Sequence, residues 1–332
     1  IIYGAKENNL KNITVKFPLN SFIAVTGVSG AGKSTLVRDV LYNTYLRKIK
    51  RELVAFGRAE RIEGFEEIGD MFYLDQKRIA ITPKGNVATF SGVMAKIRDV
   101  FALTVEAKRN KLTKGHFSFN SPKGRCSKCN GLGYEVVDMQ FLADVRLKCK
   151  FCNGTRYSNN ILQIYFNKKN IDDVLRMTVD EAEEFFRKCN IDIPDFDWLK
   201  LFGLGYLCLG QTLDTLSAGE SQRLKLARLL SKVKKNKNNV FIFDEPSVGL
   251  HMHDLFCIMD CLYKIKKQGN TVIIVEHNLE IISKSDFVID LGPSGGDEGG
   301  YIVATGKPED IAGNAASITG KALRDYYKRN SL

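Results

Sequence analysis

The apolar positions of this chain fall into two regimes. Near both ends they form short unbroken runs: Phe22–Thr26, Met71–Leu74, Val240–Phe243 and Thr271–Val275. Runs of this length, bounded by polar or glycine-rich turns, predict strands buried on both faces, as in parallel sheets. Asn12–Phe17, Leu162–Phe166, Phe287–Leu291 and Tyr301–Ala304 add further predicted strands. Apolar residues at helical spacing predict helices over Thr35–Leu41, Val93–Val105, Val179–Cys189, Glu220–Lys232 and Leu255–Lys267. Thr82–Gly92, rich in Gly, Pro, Ser and Thr, reads as loop. Strands alternating with helices argue for an α/β fold. Between residues 115 and 158 the pattern fades and Gly, Cys, Lys and Asn dominate, as in a small module held by metal. The expected organisation is an α/β lobe interrupted by an insertion. Residues 1–85 and 215–332 form the lobe, and 86–214 form a helical region carrying the module at 115–158.

Composition narrows the class. Of 332 residues, 44% are hydrophobic and 26% charged, which excludes a disordered chain. No apolar run approaches the roughly 20 residues of a membrane span, and no signal-peptide pattern opens the chain. A cytoplasmic protein without a membrane partner is expected. The chain opens at Ile1 rather than Met, as a piece of a longer protein would. Lys and Arg number 49 against 38 Asp and Glu, a net charge of +11. That excess favours an anionic partner, nucleic acid first.

The chemistry concentrates at a few motifs. Gly27-Val28-Ser29-Gly30-Ala31-Gly32-Lys33-Ser34, followed by Thr35, is a full Walker A pattern between a predicted strand and a predicted helix. Its backbone N–H groups can face phosphate oxygens, Lys33 supplies charge, and Ser34 offers a hydroxyl to Mg²⁺. Val240–Phe243 ends in Asp244 and Glu245, the matching Walker B pattern. Asp244 is expected in the Mg²⁺ shell, with Glu245 orienting or deprotonating water.

Ser217, Ala218, Gly219 and Glu220 resemble the ABC signature and open a helix whose N–H groups can face a γ-phosphate. Asp75-Gln76 after a strand resembles the Q-loop, which assigns Gln76 to the metal and the catalytic group. His277 resembles the switch histidine, and Ser247–His251 matches the D-loop position. In ABC ATPases the signature acts on ATP bound by a partner lobe, so a sandwiched nucleotide and a dimer are expected. Separately, Cys126-x2-Cys129 and Cys149-x2-Cys152 have zinc spacing, and four thiolates make a closed structural site. Lys123, Arg125, Lys128, Arg146, Lys148, Lys150 and Arg156 surround them, with Phe151 and Tyr157, a mixture suited to nucleic acid.

These residues together resemble the UvrA family, over nearly the whole chain and in the manner of that family's second half. Gly4–Asn12, Thr82–Gly92, Phe117–Asn120, Val174–Val179, Gly203–Tyr206 and Glu245–His251 carry the match beside the motifs already named. Only Ala218 departs from the family's signature. The resemblance implies an ATPase with two such halves, working as a dimer on damaged duplex DNA in nucleotide excision repair. It implies ATP, Mg²⁺ and Zn²⁺ as ligands, and an excinuclease system in which this protein is no nuclease itself. The family's UvrB-binding domain lies in the first half, outside this chain. Alternatives are a half-size homodimeric relative, for instance in drug self-resistance, and a transporter ATPase subunit.

Overall fold

The computed structural model describes residues 1–330 apart from 76–78, 81, 138–144, 232–237 and 248–251, and the side chains of 252–254. The chain divides into two compact units, residues 1–77 with 234–332, and residues 78–233. Its strands are β1 (Ile2–Ala5), β2 (Ile13–Val15), β3 (Phe22–Gly27), β4 (Arg61–Ile62), β5 (Met71–Leu74), β6 (Tyr134–Val137), β7 (Val145–Lys148), β8 (Val240–Asp244), β9 (Thr271–Val275), β10 (Phe287–Gly292) and β11 (Tyr301–Gly306).

In the first unit, a six-stranded sheet has the order β11-β10-β3-β9-β8-β5. Every neighbouring pair is parallel except β10 with β11, which is antiparallel at the edge. Strand β3 is buried along its whole length, as a central strand covered on both faces must be. The two-residue side-chain period divides it. Ile23 and Val25 join Leu36, Val37, Val40 and Tyr45 of the following helical segment in one core. Ala24 packs on the other face with Ile282, Val288, Ile311 and Leu323. The segment after the phosphate loop runs further than its apolar spacing predicts. Wide helical turns over Thr35–Tyr42 continue through Asn43–Tyr45 and Leu46–Lys50, ending at Arg51 in the left-handed region. A small antiparallel sheet, β2-β1-β4, completes this unit.

The second unit is mainly helical and is fixed by side-chain caps. Thr178 with Glu181 and Asn170 with Asp173 form reciprocal capping boxes at Val179–Lys188 and Ile171–Arg176. Its core is aromatic, with Phe101, Phe117, Phe186 and Phe196 all buried. Two expectations are corrected here. Val87–Ser91, read as loop, is a helical turn, because Asn86 and Thr89 close a capping box at its start. Leu162–Phe166, read as a strand, follows the short helix Asn159–Leu162 instead. Beyond Leu162 the chain turns rather than extends: only Phe166 makes a β-bridge, to Lys169 three residues on, so no strand forms. The signature helix, Ala218–Leu230, belongs to this unit. Among the described residues, no helix is long and apolar enough to cross a membrane.

Candidate nucleotide site and cysteine centre

In a parallel sheet, ligands bind beyond the carboxyl ends of the strands. The first unit brings its chemistry there. Strand β3 delivers the loop from Gly27, β8 delivers Asp244 and Glu245, and β9 leads into His277. Gly27 has φ +132°, and a Cβ there would meet the Leu291 carbonyl oxygen at 2.0 Å, so only glycine fits. Lys33 is buried, and its ammonium donates to the carbonyls of Gly27 and Val28 at 3.1 and 2.9 Å. Burial pulls the Lys33 pKa below its usual value, against the opposing pull of Glu245, Asp244 and Asp290. Ser29, Gly30, Ala31, Gly32, Ser34 and Thr35 complete the loop and the start of its helix, and Asn8 Nδ2 donates to Thr35 Oγ1 at 3.1 Å.

Glu245 has φ +46°, uncommon for a non-glycine residue, and its N–H donates to the Val275 carbonyl at 2.9 Å. The tie holds the end of β8 to the end of β9. His277 Nε2 stands 3.6 Å from Glu245 Oε1. The loop thus lies in the same unit as two acids and an imidazole, the groups that can hold a phosphate chain and a water. Gln76, the polybasic stretch Lys232–Lys237 and Val248–His251 of the D-loop lie outside the described residues.

In the second unit, Ser217 caps the signature helix by accepting from Glu220 N–H at 3.2 Å. Glu220 returns the contact, accepting from Ser217 N–H at 2.7 Å and from the Tyr206 hydroxyl at 2.6 Å. Burial would raise the Glu220 carboxyl, but these hydrogen bonds outweigh it and hold it below the usual carboxylate range. Ala218 and Gly219 make the first turn behind this cap.

The sulfur atoms of Cys126, Cys129, Cys149 and Cys152 lie within 4.8 Å of one another, and all four residues are buried. The two knuckles share one design, Cys129-Asn130-Gly131 and Cys152-Asn153-Gly154, with both residues after each cysteine at positive φ. Gly133 N–H donates to Cys129 Sγ at 3.2 Å. Cys126 N–H donates to the Arg156 carbonyl and Cys149 N–H to the Gly133 carbonyl, at 2.8 and 3.0 Å. Burial pushes the Cys152 thiol up to about 12, so thiolate here calls for a cation. Four convergent buried thiols fit zinc in a closed site. The hairpin β6–β7 joins the knuckles. Around it, Lys123, Lys128, Lys148, Lys150 and Phe151 are exposed. Tyr157, counted in sequence among the surface aromatics, is instead fully buried, its hydroxyl donating to the Phe117 carbonyl at 3.2 Å.

No family model matches the chain. The UvrABC system protein A of Aquifex aeolicus (strain VF5) is 47% identical over 331 residues, which is 100% of this chain and 36% of that protein. That of Clostridium perfringens (strain 13 / Type A) is 47% identical over 325 residues, 98% of this chain and 34% of the relative. The crystal structure of UvrA2 from Deinococcus radiodurans superposes with a TM-score of 0.85 at 41% identity, covering 98% of this chain and 39% of that one. The chain belongs to the UvrA family. It spans about a third of the length of the curated relatives it matches.

Within this UvrA-family fold, several residues that sequence patterns pass over hold the site. Glu276 is 1% exposed. Its Oε1 accepts from Ser247 N–H at 2.9 Å, and its Oε2 accepts from His277 and Asn278 N–H at 2.9 and 3.2 Å. One carboxylate thereby anchors the loops that follow β8 and β9. Asn9 Nδ2 donates to the carbonyls of Gly30 and Gly296, at 2.8 and 3.1 Å, bracing the phosphate loop against a second glycine-rich turn. Asp290 within β10 accepts from the hydroxyls of Ser317 and Thr319, at 2.6 and 2.9 Å. Burial raises its carboxyl above the usual range, and those two bonds oppose the rise. Only the odd placement of an acid inside Val275-Glu276-His277 could have signalled Glu276 in the sequence.

Proposed function

We propose that this chain is the ATP-hydrolysing, DNA-binding part of a UvrA-type nucleotide excision repair protein. The observation that carries the reading is the 47% identity to UvrABC system protein A across the whole chain. The convergence of Lys33, Asp244, Glu245 and His277 at one end of the sheet supports it. Neither the homodimeric drug-resistance alternative nor the transporter alternative is favoured by relatives named for the UvrABC system. A cytoplasmic location accords with this reading.

The backbone N–H groups of Gly27–Thr35 bind the phosphate chain of ATP, and Lys33 exchanges its two carbonyl partners for phosphate oxygens. The hydroxyl of Ser34 and the carboxylate of Asp244 are hard oxygen donors suited to Mg²⁺, with Gln76 as a third candidate ligand. Bound there, the metal neutralises charge on the β- and γ-phosphate oxygens. Glu245 orients the attacking water and takes its proton, and His277 fixes the geometry of that carboxylate and the γ-phosphate. The water oxygen bonds to the γ-phosphorus as its bond to the β,γ-bridging oxygen breaks, giving ADP and phosphate. Ser217, Ala218, Gly219 and Glu220 of a second lobe close the site, supplied by another copy or by the other half of a longer chain. The zinc module is structural, and its exposed Lys123, Lys128, Lys148 and Lys150 with Phe151 offer a surface to duplex DNA. Engagement of a UvrB-type partner belongs to the longer protein, since the resemblance places that binding domain in the family's first half.

The test is titration of the purified chain into labelled duplexes, plain and carrying a bulky lesion, with ATP and across salt. Preferential binding of the lesion is expected. Equal binding that weakens steeply with salt would reduce the DNA interaction to nonspecific contact with a basic surface.

A further inference from the structure

Strand β5 lies beside β8 at the edge of the sheet, with Tyr73 paired to Ile242 and Leu74 to Phe243. The side-chain alternation sends Phe72 to one face, where it stacks on Phe241 with ring centres 5.2 Å apart. Tyr73 points to the other face, that of the helical segment leaving the phosphate loop. There its ring stacks on Tyr42, at 5.3 Å and an interplanar angle of 25°. Its hydroxyl donates to Asp244 Oδ2 at 2.5 Å. One side chain thus connects the helix behind the Walker A loop to the acid at the end of the Walker B strand.

We propose that Tyr73 is a positioning residue for Asp244, fixing that carboxylate for the divalent metal of the nucleotide. The proposal rests on the nucleotide-site reading above and adds a residue no motif contains. An aspartate has two equivalent oxygens and a softly hindered terminal torsion. A short O–H···O⁻ bond to one oxygen removes that freedom and sets where the second oxygen points. The stack on Tyr42 removes the corresponding freedom from the phenol. Among the described residues the hydroxyl bonds to Asp244 alone, so its contribution separates from that of the ring. Partners that orient metal ligands in this way are typically worth about 10–100-fold in metal affinity or activity.

The experiment compares the full chain with Tyr73→Phe, which keeps the ring and its stack and deletes one oxygen. Mn²⁺ serves as the metal probe, followed by electron paramagnetic resonance in the presence of a non-hydrolysable ATP analogue. Analogue binding without metal is measured separately in EDTA. Y73F is expected to need about tenfold more Mn²⁺ for half-saturation, while metal-free analogue binding stays within about twofold and the thermal melt remains cooperative. Equal half-saturation in the two proteins would overturn the proposal and leave the nucleotide site standing. An equal loss of metal-free binding would also overturn it, by assigning Tyr73 to the shape of the loop. Absence of any metal-dependent analogue binding in the unaltered chain would overturn the nucleotide-site reading itself.

Discussion

Glu276→Ala is the substitution whose effect can be worked most directly from the structure. The side chain is buried and accepts three backbone N–H groups, from Ser247, His277 and Asn278. Hydrogen bonds to an ionised group contribute about 1.5–3 kcal/mol each, and donors left without an acceptor in a buried setting cost a similar amount. The three bonds share one carboxylate and do not add. Ser247, His277 and Asn278 lie near enough to the surface for water to recover part of the loss. A net destabilisation of about 3 kcal/mol follows, at the upper end of ordinary point substitutions. Glu276→Gln keeps the volume and one acceptor oxygen and should lose about half as much. Two readouts separate this from a general weakening. Urea unfolding gives the free energy, and amide hydrogen exchange should quicken first at Ser247, His277 and Asn278. ATP turnover should fall in the same variants, because Glu245 and His277 sit on the two loops that lose their common anchor. A loss below about 0.5 kcal/mol with unchanged turnover would show that the carboxylate anchors nothing.

Three further outcomes follow from the geometry. Lys33→Ala should abolish tight ATP binding, read by fluorescence of a labelled nucleotide, because no second cation of the loop replaces a buried ammonium. Glu245→Gln should still bind ATP and stall turnover, and rapid phosphate release by that variant would remove Glu245 from the chemical step. Cys126→Ser should lose the zinc that the purified chain is expected to carry, as read by metal analysis. It should also destabilise the second unit by several kcal/mol, since a metal that holds a small module contributes its binding energy to folding; undiminished zinc content would contradict the four-thiolate assignment.

Much of the fold is legible in the chain because parallel strands advertise themselves. Val240–Phe243 and Thr271–Val275 are apolar runs ending in polar residues, and both are central strands of the sheet. The glycine-rich loop and the cysteine pairs are equally legible, since each is a pattern local in sequence. What the chain conceals is whatever depends on partners distant in sequence. Tyr73 reads as an ordinary strand residue until β5 is laid beside β8 and its hydroxyl meets Asp244, 171 positions away. Asn9 gains its meaning from Gly296, 287 positions on. Val87–Ser91 misleads for the opposite reason. Its Gly, Pro and Thr neighbours signal a loop, yet two side chains close a cap strong enough to start a helix. Leu162–Phe166 misleads because apolar density alone does not make a strand: Leu162 ends a short helix and Phe166 closes a tight turn by a bridge to Lys169. Tyr157 shows that an aromatic among basic residues can be a core side chain, here packed edge-on against Phe119.

The central claim is that this chain hydrolyses ATP at a site completed by the signature of a second lobe. Specific ATPase activity measured across a wide range of chain concentration tests it directly. The account predicts little activity at high dilution, a rise steeper than linear in total rate, and a plateau once pairs dominate. Constant specific activity at every dilution would mean that a single lobe completes its own site, and would contradict the account.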